Sequence, residues 1–414
     1  MKKIVSYALT FSMTLLIASI LTQQTKAVCD HQLTINAHAL APEWSLDGER
    51  IVYFAFSGSW YRYIWTMNST DGSDKTQLTS GSVVDARPAY SPDGTQIAFH
   101  RWGFRGDRHD LMIMDADGPN EQRLTFGGIP GMIEGSYEHP RWSEDGTKLV
   151  FQYNEGTTGG PSAGWWVCTI NVDGSGLEVL GRGMAPRFCY GDTKIVFNTD
   201  PYYVGGHRIA LMNADGSDVQ LLTDGPNDRL PHMSSTTNRI LFNRDGDLYV
   251  MERDGSNLAQ ITSDGTNLYA AWSPDEKYIA YSSDKLGSSD IWKMCAPPAL
   301  ISAALHIDPD TLNLKSNGQW IAAYVTLPED YSVVDIDVAT VKLMHNDDVV
   351  EGADWGEVQG DVLMVKFDRA TLRDYLGVVD VDDGDRFYDI TLTVRGNVAE
   401  APFEGCDTIT VKSK

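Results

Sequence analysis

The run Arg87-Pro-Ala-Tyr-Ser-Pro-Asp-Gly-Thr-Gln-Ile-Ala-Phe99, followed from Asp110 by Leu-Met-Ile-Met-Asp-Ala-Asp-Gly118 and then by Arg123-Leu-Thr125, decides the fold because it recurs. An earlier copy passes from Pro42 through Trp44, Ser45, Asp47 and Gly48 to Ile64-Trp-Thr-Met67, Asp71-Gly72 and Gln77-Leu-Thr79. Later copies open at His139-Pro-Arg-Trp-Ser-Glu-Asp-Gly146, at Ala185-Pro-Arg-Phe-Cys-Tyr-Gly-Asp192, at Pro231 and at Ala271-Trp-Ser-Pro-Asp275. A period of about 45 residues, with short alternating or β-branched runs bounded by Asp-Gly and Pro-Asp turns, matches four strands per unit and one propeller blade per repeat. Six copies predict one closed ring in which only short strand edges remain.

The ring is one strand short at its end. The sixth copy has no Gln-Leu-Thr strand after Met294, whereas Gln32-Leu-Thr34 precedes the first copy, so the N-terminal segment is expected to complete the last blade. Cys29 and Cys295 would then face each other and close a disulfide in an oxidising compartment. Pairing of Cys295 with Cys406 is the alternative, and Cys168 and Cys189 either pair or stay buried as small apolar side chains.

Met-Lys-Lys3 and the apolar run Ile4 to Leu21, followed by the small residues around Ala27, read as a secretory signal peptide over 1–27. The propeller is then expected over 28–297, and no later stretch is apolar enough to span a bilayer. With 33 Lys and Arg against 57 Asp and Glu, the net charge of −24 argues against nucleic-acid partners. It leaves calcium association open, without a full ligand motif.

The Trp-Ser-Pro-Asp-Gly and Met-Asp-x-Asp-Gly signatures resemble TolB-type propeller repeats, a WD40-like class, over about Asp30 to Met294. The resemblance implies a bacterial periplasmic or secreted location and partners in the envelope. TolB proteins carry an α/β domain ahead of the propeller. Here the first repeat begins near the expected mature start, so the propeller alone is expected.

Within each repeat the aromatic residue at Trp44, Tyr90, Trp142, Phe188 and Trp272 is read as blade-to-blade packing. The residues flanking the repeated Pro alternate with these aromatics and are expected to project into the axial channel. They include Glu43, Arg87, His139, Arg141, Arg187, His232 and Tyr269. Three arginines and two histidines converging in an acidic protein would bind an anionic group. The opposing expectation is that Glu43, Asp85 and Glu138 neutralise them as ion pairs. Channel histidines that hold a metal, as in the TolB-like oligogalacturonate lyases, would need a His-rich motif that this sequence lacks.

Gly160-Pro-Ser-Ala-Gly164 has the spacing of a hydrolase nucleophile elbow, but no helix follows it, and Trp165-Trp166 begins another strand. Trp60-Tyr-Arg-Tyr63, Trp102, Phe104 and Tyr202-Tyr203 would supply aromatic loop tips for protein or carbohydrate contacts. From 298 to 414 the pattern changes to strands such as Trp320 to Leu327 and Tyr388 to Val394, with one short helix over Ala370 to Leu376. This predicts an immunoglobulin-like β-sandwich. The acidic loop Asp380 to Asp385 departs from the EF-hand order and reads as solvated.

Two functions are compatible with this reading. One is a non-catalytic binding or scaffold protein with a protein or glycan partner. The other is a channel-based lyase or hydrolase acting on acidic oligosaccharides, for which no complete acid–base set can be assembled from the sequence.

Overall fold

The computed structural model describes residues 30–58, 60–103, 108–132, 135–155, 164–201, 205–313, 318–345, 348–353, 355–379, 387–399 and 401–412. The chain divides into two compact units between Pro297 and Pro298.

The first unit consists of six four-stranded antiparallel blades. Their innermost strands are Ala39–Trp44, Val84–Tyr90, Ser136–Trp142, Met184–Cys189, Asp228–Met233 and Asn267–Trp272. Each inner strand touches the next, and the sixth touches the first, so the blades form a closed ring. Blades one and two share a single parallel pairing, Arg62 with Val84. The sixth blade takes its outer strand from the N-terminal side of the chain, where His31 pairs with Lys293 and Gln32 with Trp292.

A recurring Thr, the last residue of the Gln-Leu-Thr pattern, ties the outer strand to its neighbour in five of the six blades; the third is closed by Glu178–Arg182, which lacks it. Thr125 Oγ1 accepts from the Leu111 amide at 3.0 Å and donates to Asp110 at 3.1 Å. Thr262 does the same with Leu248 and Asp247. At the closure Thr34 accepts from Ile291 N at 2.9 Å and donates to Asp290 at 2.8 Å, using side chains 256 positions apart in sequence.

The Asp-Gly hairpins carry a second constraint beyond turn chemistry. Asp71, Asp173, Asp215 and Asp254 each accept from the amide of the Ser two residues on. The glycine between them has positive φ and lies against the neighbouring blade: a Cβ at Gly255 would stand 2.5 Å from the Leu222 carbonyl oxygen, and one at Gly216 2.6 Å from that of Leu180. Close approach of two backbones and a left-handed conformation thus both demand glycine.

The second unit is a two-layer sandwich. One sheet contains Ile301–Ser302, Thr311–Asn313, Ala401–Lys412, Phe387–Val398, Ile336–His345 and Asp348–Gly352, and the other Ala304–Asp308, Trp320–Thr326, Val362–Asp368 and Trp355–Gln359. Ile307, Ile321, Val365 and Phe367 of the second sheet share one buried cluster with Leu343, Leu392, Val394 and Phe403 of the first. The helix runs over Arg369–Val379, a turn longer than the sequence pattern suggests, with Leu372 and Leu376 in the same cluster. Among the described residues no helix is long and apolar enough to cross a membrane. The expected signal peptide, Cys29, the Gly160-Pro-Ser-Ala run, Phe104, Tyr202-Tyr203 and Asp380 to Asp385 lie outside the described residues.

Candidate functional site

The inner strands are not regular. In every blade the residue before the repeated Pro, or before Ala270 in blade six, has left-handed φ. Ala41, Arg87, His139, Ala185, Leu230 and Tyr269 lie between 48° and 58°. Each sits at a register shift against the second strand. A non-glycine residue there costs about 1–2 kcal/mol, so six in equivalent positions require a common cause.

Part of that cause is a ring of side-chain acceptors on the second strands. Ser282 Oγ accepts from Ala41 N at 3.0 Å, His100 Nδ1 from His139 N at 3.3 Å, Gln152 Oε1 from Ala185 N at 2.9 Å and Asn198 Oδ1 from Leu230 N at 3.2 Å. Each acceptor belongs to the blade preceding the amide it binds and satisfies an N–H that the bulge removes from the ladder. Asn243 holds the equivalent place in blade five and donates to Asn267 O instead. In blade one the place is taken by Phe54, opposite Leu40, which has no acceptor to offer Arg87. The sequence signal for these residues is a polar side chain directly after the Phe or Tyr of an otherwise apolar second strand.

The seven flanking residues all lie along the axial channel, although the bulge at each inner strand breaks the simple alternation assumed for them. Glu43, Arg141, Arg187 and His232, all following the Pro, form the floor of an open axial cavity of about 530 Å³. Trp44, Tyr90, Trp142, Phe188 and Trp272 wall this funnel, with residues of all six blades contributing. Three of the aromatics also stitch neighbouring blades, since Trp44 Nε1 donates to Ala271 O, Trp142 Nε1 to Ala89 O and Trp272 Nε1 to His232 O at 3.0–3.2 Å. Arg87, His139 and Tyr269, which hold the left-handed positions, do not line the funnel. Together with Glu43, Arg141 and Arg187 they border the narrow continuation of the channel, a void of about 20 Å³ with room for about one water.

The funnel floor is built around one carboxylate. Glu43 Oε1 meets Arg141 Nη2 at 2.9 Å and is also bonded by Arg187, while Oε2 lies 3.5 Å from His232 Nε2. Burial alone would raise the Glu43 carboxyl, but Arg187 and Arg141, helped by His232, hold it well below the usual carboxylate range. Burial first, and Arg187 next, keep His232 below its ordinary value. The floor therefore holds two guanidiniums, one carboxylate and a neutral imidazole at pH 7, a net positive charge in an acidic protein. Arg141 Nη1 additionally donates to the carbonyls of Pro140 and Arg87.

The other two carboxylates expected to neutralise the channel are used elsewhere. Asp85 takes a forked pair of bonds from Arg101 at 2.6 and 2.8 Å, and Glu138 binds His109 at 2.9 Å and Gln152 at 3.1 Å. On the side bordered by Arg87, the rings of His100 and His109 stack at 4.8 Å, and His139 lies 6.3 Å from His100. Burial first, and then His109 with Arg87, Arg62 and Arg141, push His100 well below its ordinary value. His139 is lowered likewise by burial and by Arg87 and Arg141. Sequence reading missed Arg62 and His100, which lie outside the inner strands. Among the described residues, no group of three or more His, Cys, Asp or Glu is placed to hold a metal ion. Cys295 is disulfide-bonded, whereas Cys168 and Cys189 are free and buried and Cys406 is free and exposed.

Comparison with known proteins bears on the fold of the first unit. The model of the TolB beta propeller domain matches residues 5–188. A curated relative, the Tol-Pal system protein TolB of Francisella tularensis subsp. mediasiatica, is 26% identical over 246 residues, which are 56% of this chain and 54% of the relative. The chain thus spans about half the length of the curated relatives it matches. Among solved structures, TolB from Acinetobacter baumannii aligns at a TM-score of 0.48 with 15% identity, over 60% of this chain and 64% of that one. An oligogalacturonate lyase from Vibrio parahaemolyticus aligns at 0.46 with 15% identity, over 65% and 93%. The repeats, the six closed blades and the family match together make the first unit a TolB-like β-propeller.

Proposed function

We propose that this is an exported, non-catalytic binding or scaffold protein of the bacterial envelope, which receives an anionic group of a protein or glycan partner in the axial funnel. The observation that carries the reading is the charge balance of the floor, where Arg141 and Arg187 share the single carboxylate of Glu43. Buried charges are stable when paired, and a carboxylate entering from the funnel would pair the excess guanidinium charge. The aromatic walls add apolar contact area around that point, the usual composition of a ligand site of this size. Binding fits the site better than acid–base catalysis. A Glu43 carboxyl held ionised between two guanidiniums is no general acid at neutral pH, and its low basicity makes it a poor base. In the same reading a Cys29–Cys295 disulfide pins the closing strand beside the register that pairs His31 with Lys293.

Calorimetric titration of the full chain with an acidic peptide and with galacturonate oligomers tests the proposal. Saturable binding of one of them, weakened about tenfold or more in Arg187→Gln, is the expected result. Absence of binding by either anion, or binding indifferent to Arg187→Gln, would remove the funnel as the site.

A further inference from the structure

The opposite side of the channel carries a different arrangement, centred on Arg62 and Arg87. Arg62 lies near the start of the third strand of blade one, two residues after Trp60, which is 80% exposed at the loop tip. Its guanidinium carbon lies 4.6 Å from the centre of the Phe56 ring and 6.0 Å from that of Phe54. Arg87 stands 6.0 Å from the centre of the same Phe54 ring and 3.7 Å over the Tyr269 ring, and its Nη2 donates to the Tyr269 hydroxyl. Both arginines are half-buried, and burial first, then the charge of Arg87, holds Arg62 below its ordinary value. Among the described residues neither has a carboxylate within 4.0 Å, and the guanidinium of Arg62 makes no hydrogen bond to any of them.

Two guanidiniums offer about ten N–H donors in fixed forks, and here one hydrogen bond is accounted for. Like charges are brought together in a partly desolvated place at a cost that the fold does not offset with a carboxylate. Phe54 contributes to the arrangement by occupying the one second-strand position where the other blades have a polar side chain, so an apolar platform replaces an acceptor beneath both arginines. Aromatic faces hold guanidinium planes in orientation while leaving their N–H edges free for a planar or tetrahedral oxyanion. We propose that Arg62 and Arg87 form a second anion site, distinct from the funnel, that takes a doubly charged oxyanion such as a phosphate group or a dicarboxylate. The inference does not depend on the funnel reading, because it uses neither Glu43 nor Arg187.

The test is titration of the full chain, at constant ionic strength, with sodium phosphate and separately with succinate. Calorimetry and the Nε–H NMR signals of the arginine side chains serve as readouts. The expected result is saturable single-site binding of at least one of the two, with shifts of the Arg62 and Arg87 signals. Arg62→Gln should weaken it about tenfold, and Arg62→Lys should lose part of the affinity because the charge remains while the fork is gone. Whichever probe binds more tightly identifies phosphate or carboxylate as the preferred chemistry. Since Arg62→Gln relieves the like-charge repulsion with Arg87 and gives up only the contacts with the Phe54 and Phe56 rings, the variant should unfold at or near the parent's midpoint in the absence of anion, which separates loss of binding from loss of fold. Failure of both probes to saturate, or equal affinity in the parent and Arg62→Gln, overturns the proposal.

Discussion

The two sides of the propeller axis are made from adjacent positions of the same repeat, yet their electrostatics differ. On the funnel side, the residues after the Pro gather two arginines and a histidine around the buried carboxylate of Glu43. On the other, Arg87 rests on an aromatic ring with Arg62 beside it, and the nearby imidazoles are pushed toward neutrality. The left-handed residue of each blade stands between the two positions, and Glu43, Arg141 and Arg187 reach both the funnel and the narrow void that Arg87, His139 and Tyr269 border. Charge placement in this propeller therefore depends on the bulge as well as on residue type.

Four substitutions probe this contrast. The largest effect is expected on the funnel side. Glu43→Gln leaves Arg141 and Arg187 buried without their shared carboxylate, which should cost about 3–5 kcal/mol in chemical denaturation. Because the folded carboxyl is held below its ordinary value, Glu43 stabilises above the carboxylate range. The difference between parent and Glu43→Gln should therefore shrink as pH falls below about 4.5. If an equal cost persists at pH 3, the ion-pair account of the floor is wrong.

Gln152→Leu acts on the bulge that divides the two sides. It strands the Ala185 amide, which now donates to Gln152 at 2.9 Å, and the expected loss is about 1–3 kcal/mol. A neutral outcome would mean that the acceptor ring does not hold the left-handed residues.

His100→Gln concerns the opposite side and copies the residue blade three already uses. The glutamine can still accept from His139 N, so stability at pH 8 should change little. The folded His100 takes up a proton less readily than the unfolded chain, whose imidazole titrates near 6.5. Parent stability should hence fall as pH drops through that value, and the substitution should reduce the slope by at most about 1.4 kcal/mol per pH unit. Thermal midpoints measured from pH 8 to 5.5 would show it, and parallel curves would contradict the buried, neutral imidazole.

The smallest effect is expected for Trp142→Phe, which reproduces the Phe188 of blade four and removes the bond to Ala89 O with part of the indole ring. A loss of about 0.5–1.5 kcal/mol in the denaturation midpoint is anticipated. A much larger loss would show that the funnel wall carries more of the blade-to-blade adhesion than its hydrogen bond.

Much of the architecture was readable because it is repeated. Asp-Gly turns, the inner-strand aromatic and Gln-Leu-Thr or a close variant of it each recur in most of the blades, and the unmatched Gln32-Leu-Thr34 pointed to the closing strand that pairs with Lys293 and Trp292. The residues of the candidate site were legible, but not their grouping. Arg141, Arg187, His232 and Glu43 meet at the funnel floor, whereas Arg87, His139 and Tyr269 border only the narrow void that three of those four also line, because alternation along a strand presumes extended geometry and the bulge breaks it. Arg62 and His100 escaped notice because they stand on the second and third strands, where a polar residue within an apolar run reads as an exception to the pattern and not as a partner for the next blade.

From the amino-acid order alone came the repeat, its strand content and its ring closure, since these rest on local hydrophobic period and turn chemistry that each copy restates. Which guanidinium meets a carboxylate and which meets a ring was decided only in three dimensions. Those contacts join residues from different blades, Glu43 with Arg187 and Arg87 with Tyr269, and the backbone turn that aims them has no glycine to announce it.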